Sequence, residues 1–159
     1  MIQLDWRPGQ ALAAITGLAD GRLPSLAAKV AAQTYEDDIH QWIGAGHAFT
    51  SRTGATQQSI GWMPDGTGAV VYANAKTALF LEGGTGLHGP FRAKYKIAPK
   101  PGRKALRIPL PGGGDMFRRF VMHPGIKAQP FFFADFNERE RHMLEAVAEL
   151  YADKLKGVA

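Results

Sequence analysis

The sequence predicts an α+β fold: an antiparallel sheet of about four strands packed against N-terminal helices and a long C-terminal helix, with a long basic loop between them. Three observations carry this. Apolar residues recur at helical spacing near both ends of the chain, over 24–43 and again over 136–155. Pro64-Asp65-Gly66 sits between two apolar-aromatic runs, a hairpin signal. Pro111-Gly112-Gly113-Gly114 separates "KALRIPL" from "MFRRFVMH", a second hairpin signal.

Taken in order, Pro8 opens a first helical pattern carrying Leu12, Ile15 and Ala19, and Gly21 ends it. Pro24 opens the next, in which Leu26, Val30, Ile39, Trp42 and Ile43 form the apolar face and Glu36-Asp37-Asp38 the wet one. Gly44 and Gly46 stop it. Strands are expected near 58–63 and 68–74, then a short helix over 77–83 with Ala78, Leu79 and Leu81 turned inward. Residues 83–103 are rich in Gly and Pro and show no period, the mark of a loop that is functional or disordered. Strands over 104–110 and 116–123 follow, and Pro124-Gly125 breaks the second. Pro130 opens the terminal helix, whose stripe is Phe136, Met143, Val147, Leu150, Tyr151 and Leu155, with Glu138, Arg139, Glu140 and Arg141 mostly outside it. One domain over 1–159 is expected, helical over 1–49 and α+β over 50–159.

Composition narrows the chemistry. The chain is 45% apolar and 21% charged, enough to build a core without cross-links. It has no cysteine, which removes disulfides, thiolate metal sites and cysteine nucleophiles. No run of 18 apolar residues occurs, so no membrane span is expected, nor a secretory leader. "GGTG" at 83–86 lacks the Lys-Ser/Thr of a phosphate-binding loop. The five histidines (His40, His47, His88, His123 and His142) show no metal-ligand spacing, and His123 in "HPG" reads as a turn residue. Ser51 and Ser59 lack the setting of a strained nucleophile. No enzyme, cofactor or metal is expected.

Charge is the positive signal. The net +5 is concentrated in 92–119, which holds nine cations (Arg92, Lys94, Lys96, Lys100, Arg103, Lys104, Arg107, Arg118 and Arg119) and one acid, Asp115. Such a block seeks an anionic partner, either nucleic acid or the acidic face of another subunit. It matches no established nucleic-acid-binding motif. Phe131-Phe132-Phe133 cannot all be buried on one helix face, so at least one is expected at an interface.

Four patches together resemble the gene-product-ten-like family of long-tailed phages, which are tail completion, head–tail joining or minor tail proteins of the neck. They are "TGATQQSI" at 53–60, "VYANAKTALFLEGGTG" at 71–86, "KAL" at 104–106 and "HPGIKAQPFFFADF" at 123–136, the last being the most specific. The resemblance spans about residues 50–155, and patch order and spacing agree; the basic loop at 87–103 varies between members. It implies a non-enzymatic virion protein, assembled in the bacterial cytoplasm, that forms a homo-oligomeric ring, a hexamer matching the sixfold tail. Adjacent neck, tail terminator or tail tube proteins, and phage DNA in the lumen, are its implied partners. The alternative is a nucleic-acid-binding module using 92–119. On the ring reading, the subunit-interface or lumen residues are Glu82, Phe131, Phe132 and the nine cations. Gly83, Gly84, Gly86, Pro124, Gly125 and Pro130 shape turns, and Glu82, at a helix end, is placed to accept backbone N–H groups or an Arg from a neighbour.

Overall fold

The computed structural model describes residues 1–6 and 23–156. The expected helix over 8–21 lies outside the described residues. The α+β class is borne out, and the chain forms two compact units: one from 1–82 with 130–159, the other from 83–129. Each has its own sheet or ribbons.

The larger unit starts with a strand that sequence reading missed, β1 (Ile2–Trp6). α1 (Leu23–Gly44), a short helix α2 (Ala55–Gln58), β2 (Ile60–Asp65), β3 (Gly68–Ala73) and α3 (Lys76–Gly83) follow, and α4 (Phe136–Lys156) closes the unit. β3 is the middle strand, antiparallel to β1 on one side and β2 on the other. The register places Ile2, Ala73 and Ile60 in one row, and Leu4, Val71 and Trp62 in the next. With a side-chain period of two, these rows share a face. Ala69, Val71 and Ala73 of β3 are buried on it. Gly61 stands opposite Tyr72, where a Cβ would lie 3.0 Å from the phenol oxygen, so the tyrosine ring lies over the glycine.

α1 is the central beam, packing against both the sheet and α4. Its buried stripe is Ala27, Ala28, Ala31 and Ala32, then Tyr35, Ile39 and Ile43. The small residues let the helix backbone approach its neighbours closely, and the larger ones fill the end of the core. Leu26, Val30 and Trp42, read as the apolar face, flank this stripe as partly buried residues. α4 contributes Met143, Val147 and Tyr151 to the core.

Three local expectations are corrected. The terminal helix begins at Phe136, not at Pro130; residues 130–135 form a turn ending in Asp135, whose φ of 53° is left-handed. A carboxylate residue tolerates that geometry better than most. Leu79 of α3 is half exposed, as is Phe80, while Ala78 is the residue that packs inward and Leu81 lies against the core. Phe131 and Phe132 are fully buried, which removes them from the set of interface residues; Phe133, 44% exposed, is the outward member of the triplet. The chain resolves the three-in-a-row problem with a turn, not a helix, so consecutive rings leave in different directions.

The smaller unit holds a 3₁₀ turn (Gly86–His88), β4 (Tyr95–Ile97), β5 (Leu106–Pro109), β6 (Asp115–Arg118) and β7 (Val121–His123). They pair as two ribbons, β4 with β7 and β5 with β6. The strands are thus divided among three small sheets, and the expected strand over 116–123 is split at Arg119-Phe120 so that its halves pair with different partners.

Replacing Phe132 by Ala is expected to lower unfolding stability by about 3–5 kcal/mol, because the cavity lies in a dry core. Phe133→Ala is expected to cost under about 1 kcal/mol. Urea unfolding of the two variants checks the assignment.

Candidate functional site

The sequence singled out Glu82, and the structure shows what it does. Its Oε2 accepts hydrogen bonds from the backbone N–H groups of Phe131 and Phe132, each at 2.9 Å, and its Oε1 accepts one from Phe133 at 3.1 Å. Pro130 has no N–H, so Phe131 is the first donor after it, and the carboxylate takes the run of donors that follows. The expectation that Glu82 accepts backbone N–H groups is met within the chain, and both carboxylate oxygens are engaged there.

The carbonyls of the same turn are held from another side. Arg139 Nη1 donates to the oxygens of Phe131 and Phe132, both at 2.8 Å, and the Tyr35 hydroxyl donates to Phe132 O at 2.7 Å. Arg139 is 2% exposed, although the charged run "ERER" reads as a wet surface. Its guanidinium sits over the rings of Tyr35 and Trp42, at 5.6 and 5.8 Å. Burial pushes the Tyr35 phenol up to about 12, with Arg139 pulling the other way, so the hydroxyl remains a donor throughout the physiological range. The rings of Phe131 and Phe132 pack edge-on against Phe49 and Tyr35. Glu82, Arg139 and Tyr35 are therefore fold determinants.

Beside this turn, a cleft of about 210 Å³ opens among Asp38, Trp42, His47, Glu138, Arg139 and His142. Among the described residues, Trp42 Nε1 and Arg139 Nη2 have no hydrogen-bond partner, and both atoms are shielded from solvent. His142 Nδ1 lies 2.9 Å from Asp38 Oδ2, tying α4 to α1, and its Nε2 lies 3.3 Å from Glu138. The hydrogen bond to Asp38 raises the His142 pKa above the ordinary histidine value, burial working against it. Among the described residues no three His, Asp or Glu side chains are grouped to hold a metal ion.

In the smaller unit, the glycines and Pro124-Gly125 meet. Thr85 N–H donates to Ile126 O at 2.9 Å, Leu87 N–H donates to Pro124 O at 2.7 Å, and Thr85 Oγ1 accepts from Ile126 N–H at 3.0 Å. Two positive-φ glycines make this clasp possible. A Cβ on Gly86 would stand 2.3 Å from Pro124 O, and one on Gly125 would stand 1.8 Å from Thr85 O. Gly83, read with the others as turn-shaping, has open space around it and no positive φ. His123 acts as a turn residue, its Nδ1 accepting from Gly125 N–H at 2.9 Å.

The nine cations Arg92, Lys94, Lys96, Lys100, Arg103, Lys104, Arg107, Arg118 and Arg119 are all exposed. Arg107 pairs with Asp115 at 2.7 Å across the β5–β6 ribbon, and Lys96 lies 4.6 Å above the Phe120 ring. The same unit displays Phe91, Tyr95, Phe117, Phe120 and Met122 to solvent, Phe91 at 91% exposure. Only Gly84 and Gly89 of this unit are buried.

Glu82→Ala strands three backbone donors and is expected to cost about 3 kcal/mol, a fall in Tm on the order of 6–12 °C; Glu82→Gln, with one acceptor oxygen left, should lie between it and the wild type. Thermal unfolding measures this. Because the folded-state pKa of His142 is raised, its tie to Asp38 contributes fully below the unfolded value of about 6.5 and is lost as pH rises through the folded value. Discounted for exposure and screening, His142→Gln is expected to cost about 0.5 kcal/mol at acidic pH and almost nothing in alkali, read by urea midpoints at the two pH values.

No family model matches the chain, and no curated protein and no solved structure matches it.

Proposed function

We propose that the chain is a structural virion protein of a long-tailed bacteriophage or prophage, a tail completion or head–tail joining component that forms a homo-oligomeric ring, a hexamer, at the neck or the head-proximal end of the tail. On this reading its neighbours are neck, tail terminator or tail tube proteins, and it performs no chemical reaction.

The observation that carries the reading is the role taken by the patches that resemble the phage family. "LEGGTG" and "HPGIKAQPFFF" lie about forty residues apart, yet their residues bond to each other at two places: Glu82 to the triple-Phe turn, and Thr85 to Ile126. A pattern shared for such bonds is a pattern shared for architecture. It supports a reading in which the motif's glycines, prolines and acid are scaffold, with the exposed basic ribbons left for contact.

A second reading, a nucleic-acid-binding module, draws on the nine exposed cations of 92–119. Duplex binding would show a log–log salt slope of about −0.9 for each phosphate neutralised.

Deleting residues 88–101 is expected to leave the larger unit folded, since its core residues lie outside that stretch. Phage carrying the deletion should accumulate separate heads and tails, with infectious titre reduced by orders of magnitude. Far-UV circular dichroism of the purified chain and electron microscopy of lysates read the two halves of the expectation. Normal joined particles would refute the proposal.

A further inference from the structure

We propose that the basic ribbons of the 83–129 unit dock on the acidic outer face of α4 of a second copy of this chain, so that copies join head to tail. The proposal rests on the ring reading above and specifies its contact.

The ribbons have the composition of a surface that awaits a cover. Phe91, Tyr95, Phe117, Phe120 and Met122 are exposed, and two-stranded ribbons are marginal in water without a third layer. A nucleic-acid backbone would satisfy the cations but leave these rings and the methionine in water. A protein face takes both.

The chain carries the complementary charge itself. Residues 83–129 hold ten Lys/Arg and one acid, whereas the remainder holds nine Lys/Arg and thirteen Asp/Glu. On α4 the exposed side is acidic around an apolar centre. Leu144 is 52% exposed, Glu140 precedes it by one turn, exposed Ala148 follows it by one turn, and Glu145 and Glu149 stand beside this row. Arg141 is bonded to Glu138 and Glu145, and Glu140 and Glu149 make no ion pair among the described residues. An apolar spot rimmed by acids thus faces, on another copy, apolar rings rimmed by cations. Because donor and acceptor surfaces are different parts of the chain, the contact is heterologous and propagates; it closes into a ring when the rotation permits. Charge pairing at the rim makes assembly salt-sensitive and sets partner orientation.

The test is a charge exchange in the full-length chain, read by sedimentation velocity at low and high salt. One variant carries Lys94→Glu, Lys96→Glu and Arg118→Glu; the other carries Glu140→Lys and Glu149→Lys. All five positions are exposed, and thermal unfolding confirms that each variant folds. Wild type is expected to assemble at low salt. Each variant alone should be monomeric, its association weakened more than tenfold, and an equimolar mixture should reassemble, since reversed ribbons then meet reversed helices. Variants that assemble like wild type, or a mixture that stays monomeric, overturn this contact while leaving the ring reading intact. Wild type that remains monomeric at every concentration and salt overturns both, and steep salt-dependent binding of duplex DNA by that monomer would assign the ribbons to nucleic acid.

Discussion

The larger unit is organised around a single non-helical turn, Phe131 to Phe133, whose peptide groups are claimed by side chains from three different helices. Glu82 at the end of α3 takes the N–H groups; Arg139 from α4 and Tyr35 from α1 take the carbonyls. Backbone polar groups inside a protein must find partners, and regular secondary structure usually supplies them. Here a carboxylate and a guanidinium do so, charge-assisted bonds standing in for a ladder. The arrangement explains how two consecutive phenylalanines are buried without a helix or strand to carry them. It also explains why a charged residue can sit in the core beside them: the guanidinium lies against two aromatic faces and donates to peptide oxygens.

From that turn the remaining architecture follows. α4 can leave it at Phe136 only because Asp135 adopts a left-handed conformation, and its carbonyl then accepts from Glu138 and Arg139 to start the helix. α4 is thereby laid along α1, and the alanine stripe of α1 fits closely within the core it shares with the sheet. Edge-on aromatic contacts link Phe49, Phe131, Phe132 and Tyr35 in series, so the same residues that satisfy the backbone also fill the space around it.

Much of this was legible in the residues. The periodicity of 24–43 marked α1, the Pro64-Asp65-Gly66 turn marked the β2–β3 hairpin, and an acid ahead of glycines marked Glu82 as a backbone acceptor. What escaped did so for physical reasons. β1 is five residues with one paired neighbour; "IQLDW" does alternate apolar and polar residues, a strand signal, but a run this short at the start of the chain is easily passed over. Arg139 lies in a run of alternating charges, and periodicity treats every charge as wet; only a turn with spare carbonyls, formed by residues earlier in the chain, makes that position hospitable to a cation. The split of 116–123 between two ribbons depends on pairing with distant partners, which local pattern does not encode. The exposed cations of 92–119 were readable as a surface, because a dense run of like charge has nowhere else to go.

Both crossings into the 83–129 excursion are bolted down. It departs immediately after Glu82 and returns immediately before Pro130, and the residues flanking those two points are bonded to one another. A closed gate of this kind uncouples what happens beyond it from what stands behind it. Residues gained or lost along the excursion leave the bonds between Glu82 and the triple-Phe turn in place, so the gateposts keep their spacing. A scaffold built this way is free to diversify the excursion at little cost to its own foldability.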